Sequence, residues 1–188
     1  LGQSIDDPAG EAFDKAARVL GLGFPGGPEI QKAAEQMIGE NDLELPRAWM
    51  KGTLDFSFSG VKTALLHMAQ NKGIYPLDQC QFTDDQVRLL VNQMSYAFQE
   101  AVVDVMVEKV VSMAEQYHAK GILIGGGVAA NSRLRTKVVD RSNIPVLIPP
   151  PVLCTDNGAM IAACAYYQYQ RGEQYGFELD VNPSLPLG

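Results

Sequence analysis

Three cysteines, two histidines and one tryptophan are all that this 188-residue chain supplies of the side chains that build disulfides, metal centres and large aromatic cores. Cys80, Cys154 and Cys164 are odd in number and lack C-x-x-C spacing, which excludes a disulfide framework and a local thiolate zinc site. A reducing compartment fits. His67 and His118 lie far apart, each in a stretch with helical periodicity, so core or surface positions are expected for both and no metal site by local spacing. No apolar run approaches a membrane span, and the opening LGQSIDDPAGE is acidic where a secretory leader would be basic and then apolar. A cytoplasmic protein without membrane contact is the expectation. Cationic excess is missing too: 15 Lys and Arg stand against 22 Asp and Glu, for a net charge of −7. Phosphate neutralisation needs clustered cations, so the chain as a whole is no autonomous nucleic-acid binder. There is no P-loop, no Ser/His/Asp or metalloprotease pattern, no repeat and no low-complexity tract.

The chain does carry 46% apolar residues, ample for a core in one domain or slightly more. PAGEAFDKAARVL, with Pro8 at its start, early carboxylates and Gly21 beyond its last apolar residue, predicts a helix. After the turn cluster GLGFPGGP, Pro28 opens a second predicted helix, PEIQKAAEQMI. LDFSFSG alternates as a short strand does, and VKTALLHMAQ then turns helical. Apolar positions from Val87 to Met113 recur at three- and four-residue steps, predicting one long helix from Thr83 to His118, capped by Thr83 or Asp84 and closed by Gly121. GILIGG, a helix from Asn131 to Arg141, the strand IPVLIPP and a last helix in CTDNGAMIAACAYYQYQRG complete the pattern. Strand, helix, strand, helix with short connections indicates an α/β fold with a parallel pair.

Two glycine clusters stand out. Gly21, Gly23 and Gly26 match the dinucleotide pattern G-x-G-x-x-G, but they follow a helix and include Pro25, so the match is accidental. Gly125, Gly127 and Ala130 match G-x-G-x-x-A with a strand before and a helix after. Free N–H groups at the start of the Asn131 helix suit an anionic oxygen. The next strand ends in prolines and not in the acidic residue that a nicotinamide nucleotide requires. A mononucleotide or adenylate loop is the preferred reading, with a purely structural turn as the alternative.

Asp7, Glu11 and Asp14 fall on one side of the first helix. The helix N-terminus accounts for the first two, whereas Asp14 is a candidate for holding a ligand hydroxyl. Asp156 is either the cap of the last helix or a ligand to a metal or metal-bound phosphate. Arg133, Arg135, Lys137 and Arg141 share one helix, as a solvated face or a local RNA contact.

Taken in order, SIDDPAGEAFDKAARVLGL with FPGGPEI, LDFSFSGVKT, GGGVAANSRLR and CTDNGAMIA resemble the TsaD family, the tRNA adenosine threonylcarbamoyltransferases once called glycoprotease-like. The resemblance covers nearly the whole chain. It implies an actin/Hsp70-like ATPase fold, of which residues 1–188 would be the C-terminal portion. Within it a helical insertion would span about 28–118 and an α/β core with a short mixed or parallel sheet about 119–172, the N-terminal lobe being absent. It implies transfer of a threonylcarbamoyl group from threonylcarbamoyl-adenylate to N6 of adenosine 37 in tRNAs reading A-starting codons, with TsaB and TsaE as partners. By the same resemblance Asp14, Gly27 and Asn131 match adenylate-binding positions. Asp156 matches a ligand of one divalent metal, iron or zinc, per full-length subunit.

Two departures accompany it. The family's H-x-x-x-H metal helix has no counterpart here, and Gln31 stands where many members carry an Asp that helps hold the ligand. Alone, the fragment is expected to be inactive. The competing classes are an actin-like small-molecule kinase and a non-catalytic binding paralogue.

Overall fold

The computed structural model describes residues 2–178 and 180. Six α-helices and two short strands follow one another as α1 (Ala9–Val19), α2 (Gly26–Glu35), α3 (Ser59–Asn71), α4 (Asp84–Gln116), β1 (Ile122–Leu123), α5 (Ser132–Arg141), β2 (Val146–Leu147) and α6 (Gly158–Gln170). The fold is mixed α/β and rich in helix, with one small parallel sheet.

Helix α4, at about 1.5 Å per residue, is roughly 50 Å long and serves as the spine. Its N-terminal half shares a core with α1, α2 and α3 around Phe13, Ile30, Leu65, Met94 and Phe98, the rings of Phe13 and Phe98 meeting edge to face. Its C-terminal half, through Val103, Val107 and Val111, packs with Ile122 of β1 and Leu134 and Val138 of α5. Helices α2 and α5, which flank the site described below, both pack on this helix.

The helix signals read from the sequence locate most ends. Thr83 caps α4 in a reciprocal box with Gln86, and Gly21 at φ +70° terminates α1. Other ends are set differently. Helix α4 stops at Gln116 because His118 turns left-handed at φ 49°, which leaves Gly121 outside the helix. Gly121 serves the sheet instead: a Cβ there would come within 3.2 Å of the Pro145 carbonyl on the neighbouring strand. Helix α2 begins at Gly26, two residues before Pro28. An added Cβ at Gly26 would stand 2.5 Å from Asp14 Cα, so this glycine permits the close crossing of α1 and α2. The accidental G-x-G-x-x-G match thus has structural roles at its ends.

LDFSFSG is not a strand. It makes one parallel bridge, Ser4 with Phe56, and Ser59 already begins α3. The segment is held by Asp6, whose carboxylate accepts from Ser57 Oγ and from the backbone N–H groups of Phe58 and Ser59. A carboxylate distant in sequence thereby caps α3. Asp7 accepts from Lys15 at 2.8 Å and also from Lys62. Ion pairs between segments account for Asp7 as well as helix-dipole attraction does. From α4, Lys109 donates to the carbonyls of Thr53 and Asp55 and lies over the Phe56 ring. The blocks SIDD and DFSFSGVK are one joint.

The glycine-rich strand and the proline-ended strand pair in parallel, Ile122 with Val146 and Leu123 with Leu147. Among the described residues no helix is long and apolar enough to cross a membrane.

Candidate functional site: a cleft between α1, α2 and the glycine loop

A cavity of about 600 Å³ opens between α1, α2 and the loop from Gly125 to Asn131. Phe13, Pro25, Pro28 and Val128 give it apolar walls, while Asp14, Gln31, Glu35, Asn131 and Thr155 supply polar groups. Gly27 and Gly127 also line it. Three residues singled out in the sequence, Asp14, Gly27 and Asn131, therefore come together on one cavity. Asp156 does not line it; it is exposed, next to Thr155, which does.

Each wall residue is fixed by local structure. Asp14 Oδ1 accepts the Gly26 N–H at 2.7 Å, tying α1 to the first turn of α2. Asn131 is the N-cap of α5: its Oδ1 accepts the Leu134 N–H at 2.9 Å. Its amide donates to Oε1 of Gln99 on α4 at 2.8 Å, with both side chains buried. Gln31 Oε1 accepts the Ser132 N–H at 2.9 Å, and Gln31 Nε2 donates to Glu35 Oε1 at 3.0 Å. Two of the first N–H groups of α5 are thus already taken by side chains, so that helix end is not the open anion site expected from sequence. The open donors lie earlier. The backbone N–H groups of Gly125, Gly126, Gly127 and Val128 have no hydrogen-bond acceptor among the described residues.

The glycines explain why room remains. Gly126 adopts φ +91°, a conformation that favours glycine, but at Gly27, Gly125 and Gly127 nothing stands within 4 Å of where a Cβ would be. Packing does not demand glycine at those three positions. Gly27 and Gly127 face the open cavity.

Helix α5 is held in register by ion pairs with α4. Arg133 meets Glu100 at 2.6 Å, Lys137 meets Glu100 at 2.7 Å and also Asp104, and Arg141 meets Glu108 at 2.5 Å. Arg47 completes the group through Asp104 at 2.9 Å. Burial alone would raise the Glu100 carboxyl, but hydrogen bonds and charge from Arg133 and Lys137 outweigh it and hold the group below the ordinary glutamate range. Asp104 is lowered against its own burial by Lys137 and Arg47. Arg135 donates to the Ala129 carbonyl at 2.7 Å and to that of Pro149, with Cys154 Sγ at 3.3 Å, joining the glycine loop to the CTDNG loop. The four cations of α5 are therefore engaged within the protein, three by carboxylates and one by carbonyls. Arg141 nevertheless stays 61% exposed, so this end of the helix keeps a solvated charged face.

The metal expectation rests in this chain on Asp156 alone. Asn157, not Asp156, caps α6 through the Met160 N–H, which leaves Asp156 without that structural task. Among the described residues, however, no group of three or more His, Cys, Asp and Glu could hold an ion, and His67 and His118 are both exposed. A lone exposed carboxylate does not by itself make a metal centre.

Sequence reading missed Gln99, which holds Asn131, and three residues of the cavity lining, Phe13, Lys32 and Glu35. A signal existed for Gln99, since a polar pair, Gln99 and Glu100, interrupts the apolar run of α4 and invites the question of which partner each finds.

Comparison with known proteins decides the family. The model of TsaD, tRNA N6-adenosine threonylcarbamoyltransferase, matches residues 1–163. The chain belongs to the TsaD family. Proteins named tRNA N6-adenosine threonylcarbamoyltransferase from Dehalococcoides mccartyi and Thermomicrobium roseum are similar to it, at 48% identity over 187 residues and 47% over 196. A relative of the same name from Geobacillus kaustophilus is 44% identical over 195 residues. All of this chain is covered in each comparison, against 52%, 53% and 53% of those proteins. The chain spans about half the length of the curated relatives it matches.

Proposed function

We propose that this chain forms the adenylate-holding wall of a tRNA N6-adenosine threonylcarbamoyltransferase. In this reading the whole protein moves the threonylcarbamoyl group from threonylcarbamoyl-adenylate to N6 of adenosine 37 of tRNAs reading A-starting codons. The observation that carries it is the pair of cavity glycines, Gly27 and Gly127, beside which a Cβ would meet nothing. A cleft of this volume with apolar walls and few polar groups suits a nucleotide. Phe13, Pro25, Pro28 and Val128 offer surfaces for a base, and the unpaired N–H groups from Gly125 to Val128 suit a phosphate.

Chemically, the wall acts by position. Amide donors fixed before the reaction stabilise charge on the adenylate phosphate as it departs, and apolar walls limit hydrolysis of the mixed anhydride. Fixed orientation of the acyl carbon toward the incoming amine supplies much of the rest. Asp156 is one exposed carboxylate without companion ligands among the described residues, and no step is routed through a metal. Binding of tRNA and assembly with TsaB and TsaE belong to the whole protein, whose cytoplasmic location is part of the same reading. In this chain Arg133, Lys137 and Arg141 of α5 are already paired with carboxylates, so a phosphate there would compete with those pairs.

The test is threonylcarbamoyl transfer to a tRNA transcript by the whole protein with partner subunits and threonylcarbamoyl-adenylate, beside Gly27→Val. Transfer by the wild type and its loss in a folded Gly27→Val variant is the expected result. ATP-dependent phosphorylation of a small molecule, with no transfer, would place the protein among the kinases instead.

A further inference from the structure

Two stretches of the cavity lining have little backbone bonding of their own. In the glycine loop the N–H groups of Gly125 to Val128 find no acceptor, and the turn is closed by Ala129 N–H to Gly126 and Asn131 N–H to Val128. After β2, Pro149, Pro150 and Pro151 bring carbonyls but no N–H to donate, so donors must come from elsewhere. The carbonyls of Pro150 and Pro151 are met by the N–H groups of Leu153 and Cys154. That of Pro149 is met by side chains, Arg135 and, at 3.5 Å, the Cys154 thiol.

Arg135 serves both stretches at once. Its Nε–H donates to the Ala129 carbonyl at 2.7 Å, and one of its terminal nitrogens donates to the Pro149 carbonyl and to Cys154 Sγ at 3.3 Å. Thr155, the next residue after Cys154, lines the same cavity as Gly127, Val128, Ala130 and Asn131. Arg133, Lys137 and Arg141 spend their charge on carboxylates of α4, whereas Arg135 meets no carboxylate among the described residues. Those three fix α5 to the spine; Arg135 fixes two loops to α5. The charged side chains that line the cavity, Asp14, Lys32 and Glu35, all belong to α1 and α2, so no ion pair of theirs orders the glycine side.

We propose that Arg135 is a positioning residue for transfer: its guanidinium sets the spacing between the glycine loop and the Thr155 segment, and with it the place of the adenylate phosphate. Arg135 itself does not line the cavity, so it acts through the loops it joins. This rests on the adenylate reading above and deepens it. Donors fixed ahead of the reaction stabilise the departing phosphate without reorganising, so a loosened spacing lowers the rate of transfer more than it weakens binding.

The experiment is steady-state threonylcarbamoyl transfer by the whole protein with its partner subunits, for the wild type, Arg135→Met, Arg135→Lys and Arg133→Met, with a urea midpoint for each. Arg135→Met should lower kcat by about 10–100-fold, the scale of a misplaced reacting group, with little change in the KM for threonylcarbamoyl-adenylate. Arg135→Lys keeps the charge but not the planar fork and should lose the rate as well; it decides the matter if Arg135→Met does not fold. Arg133→Met removes the pair with Glu100 and no bond to either loop, so it should lower the urea midpoint while kcat stays at the wild-type value. A wild-type kcat in folded Arg135→Met or Arg135→Lys overturns the proposal. An equal loss of kcat in Arg133→Met also overturns it, by tracing the effect to α5 as a whole. A wild type that neither transfers nor binds AMP overturns the adenylate reading itself, and this proposal with it.

Discussion

The amide of Asn131 donates to Oε1 of Gln99 at 2.8 Å while its own Oδ1 caps α5, so one buried side chain joins the glycine loop, α5 and the spine helix. Asn131→Ala removes a cap worth about 1 kcal/mol and strands a buried amide at about 1–3 kcal/mol. A total loss of about 2–4 kcal/mol is expected in chemical denaturation. Adding Gln99→Met should recover part of it, because the stranded oxygen is then gone. If Asn131→Ala unfolds at the wild-type midpoint, the buried pair is not structural. Loss of transfer in Asn131→Ala is therefore not evidence of a ligand contact until stability has been measured.

The glycines separate stability from binding more cleanly. At Gly27, inside α2, and at Gly127, alanine has open space and no positive φ to resist it. Gly27→Ala and Gly127→Ala should unfold within about 0.5 kcal/mol of the wild type or above it, while binding AMP more weakly. Gly126→Ala places a Cβ at φ +91° and should cost about 1–3 kcal/mol. Equal destabilisation of all three variants would contradict the assignment of Gly27 and Gly127 to the cavity.

Glu100 links acid sensitivity to the placement of α5. Its carboxyl lies below the ordinary value when folded, so the folded state binds its proton less readily than the unfolded chain does. The stability this contributes is present above the unfolded glutamate value and is lost as pH falls through the lower folded one. Glu100→Gln should cost about 2 kcal/mol at neutral pH and flatten the decline of stability below about pH 4.5. Urea midpoints measured from pH 7 to pH 3 check this; parallel pH curves for the two proteins would contradict it.

Much of the local structure was legible because its causes are local. Thr83 with Gln86, Asn131 with Leu134 and the Gly21 terminator act within a few residues, and each appears where the sequence puts it. The parallel pair was legible from two short apolar runs flanking a helix. What escaped depends on partners distant in sequence. The FSFSG segment alternates like a strand, but Asp6 draws its backbone N–H groups into a cap for α3. The pairing of the α5 cations is not visible until Glu100, Asp104 and Glu108 of α4 are brought opposite them. Asp14, Gly27 and Asn131 were named one by one, but that they line one cavity with Glu35 depends on the crossing of α1 and α2 that Gly26 allows.

Helix α6 carries the last prediction. Met160, Ile161, Tyr166, Tyr167 and Tyr169 are all exposed, and none of the 13 residues of α6 is buried. The sheet shows the same condition, since Leu123 and Leu147, partners in register, are 75% and 68% exposed. Parallel sheets are normally covered on both faces, and contiguous exposed apolar surface favours association. The chain produced alone should therefore self-associate as its concentration rises and bind a hydrophobic dye. Ile161→Asp should weaken both effects while leaving the unfolding free energy within about 0.5 kcal/mol, because the side chain it replaces supports no core. Sedimentation across a concentration series, paired with denaturation of the same variant, checks it. A loss well above 1 kcal/mol in Ile161→Asp would mean that α6 is packed within the monomer, and a wild type that stays monomeric at high concentration would mean that the exposed face is not adhesive.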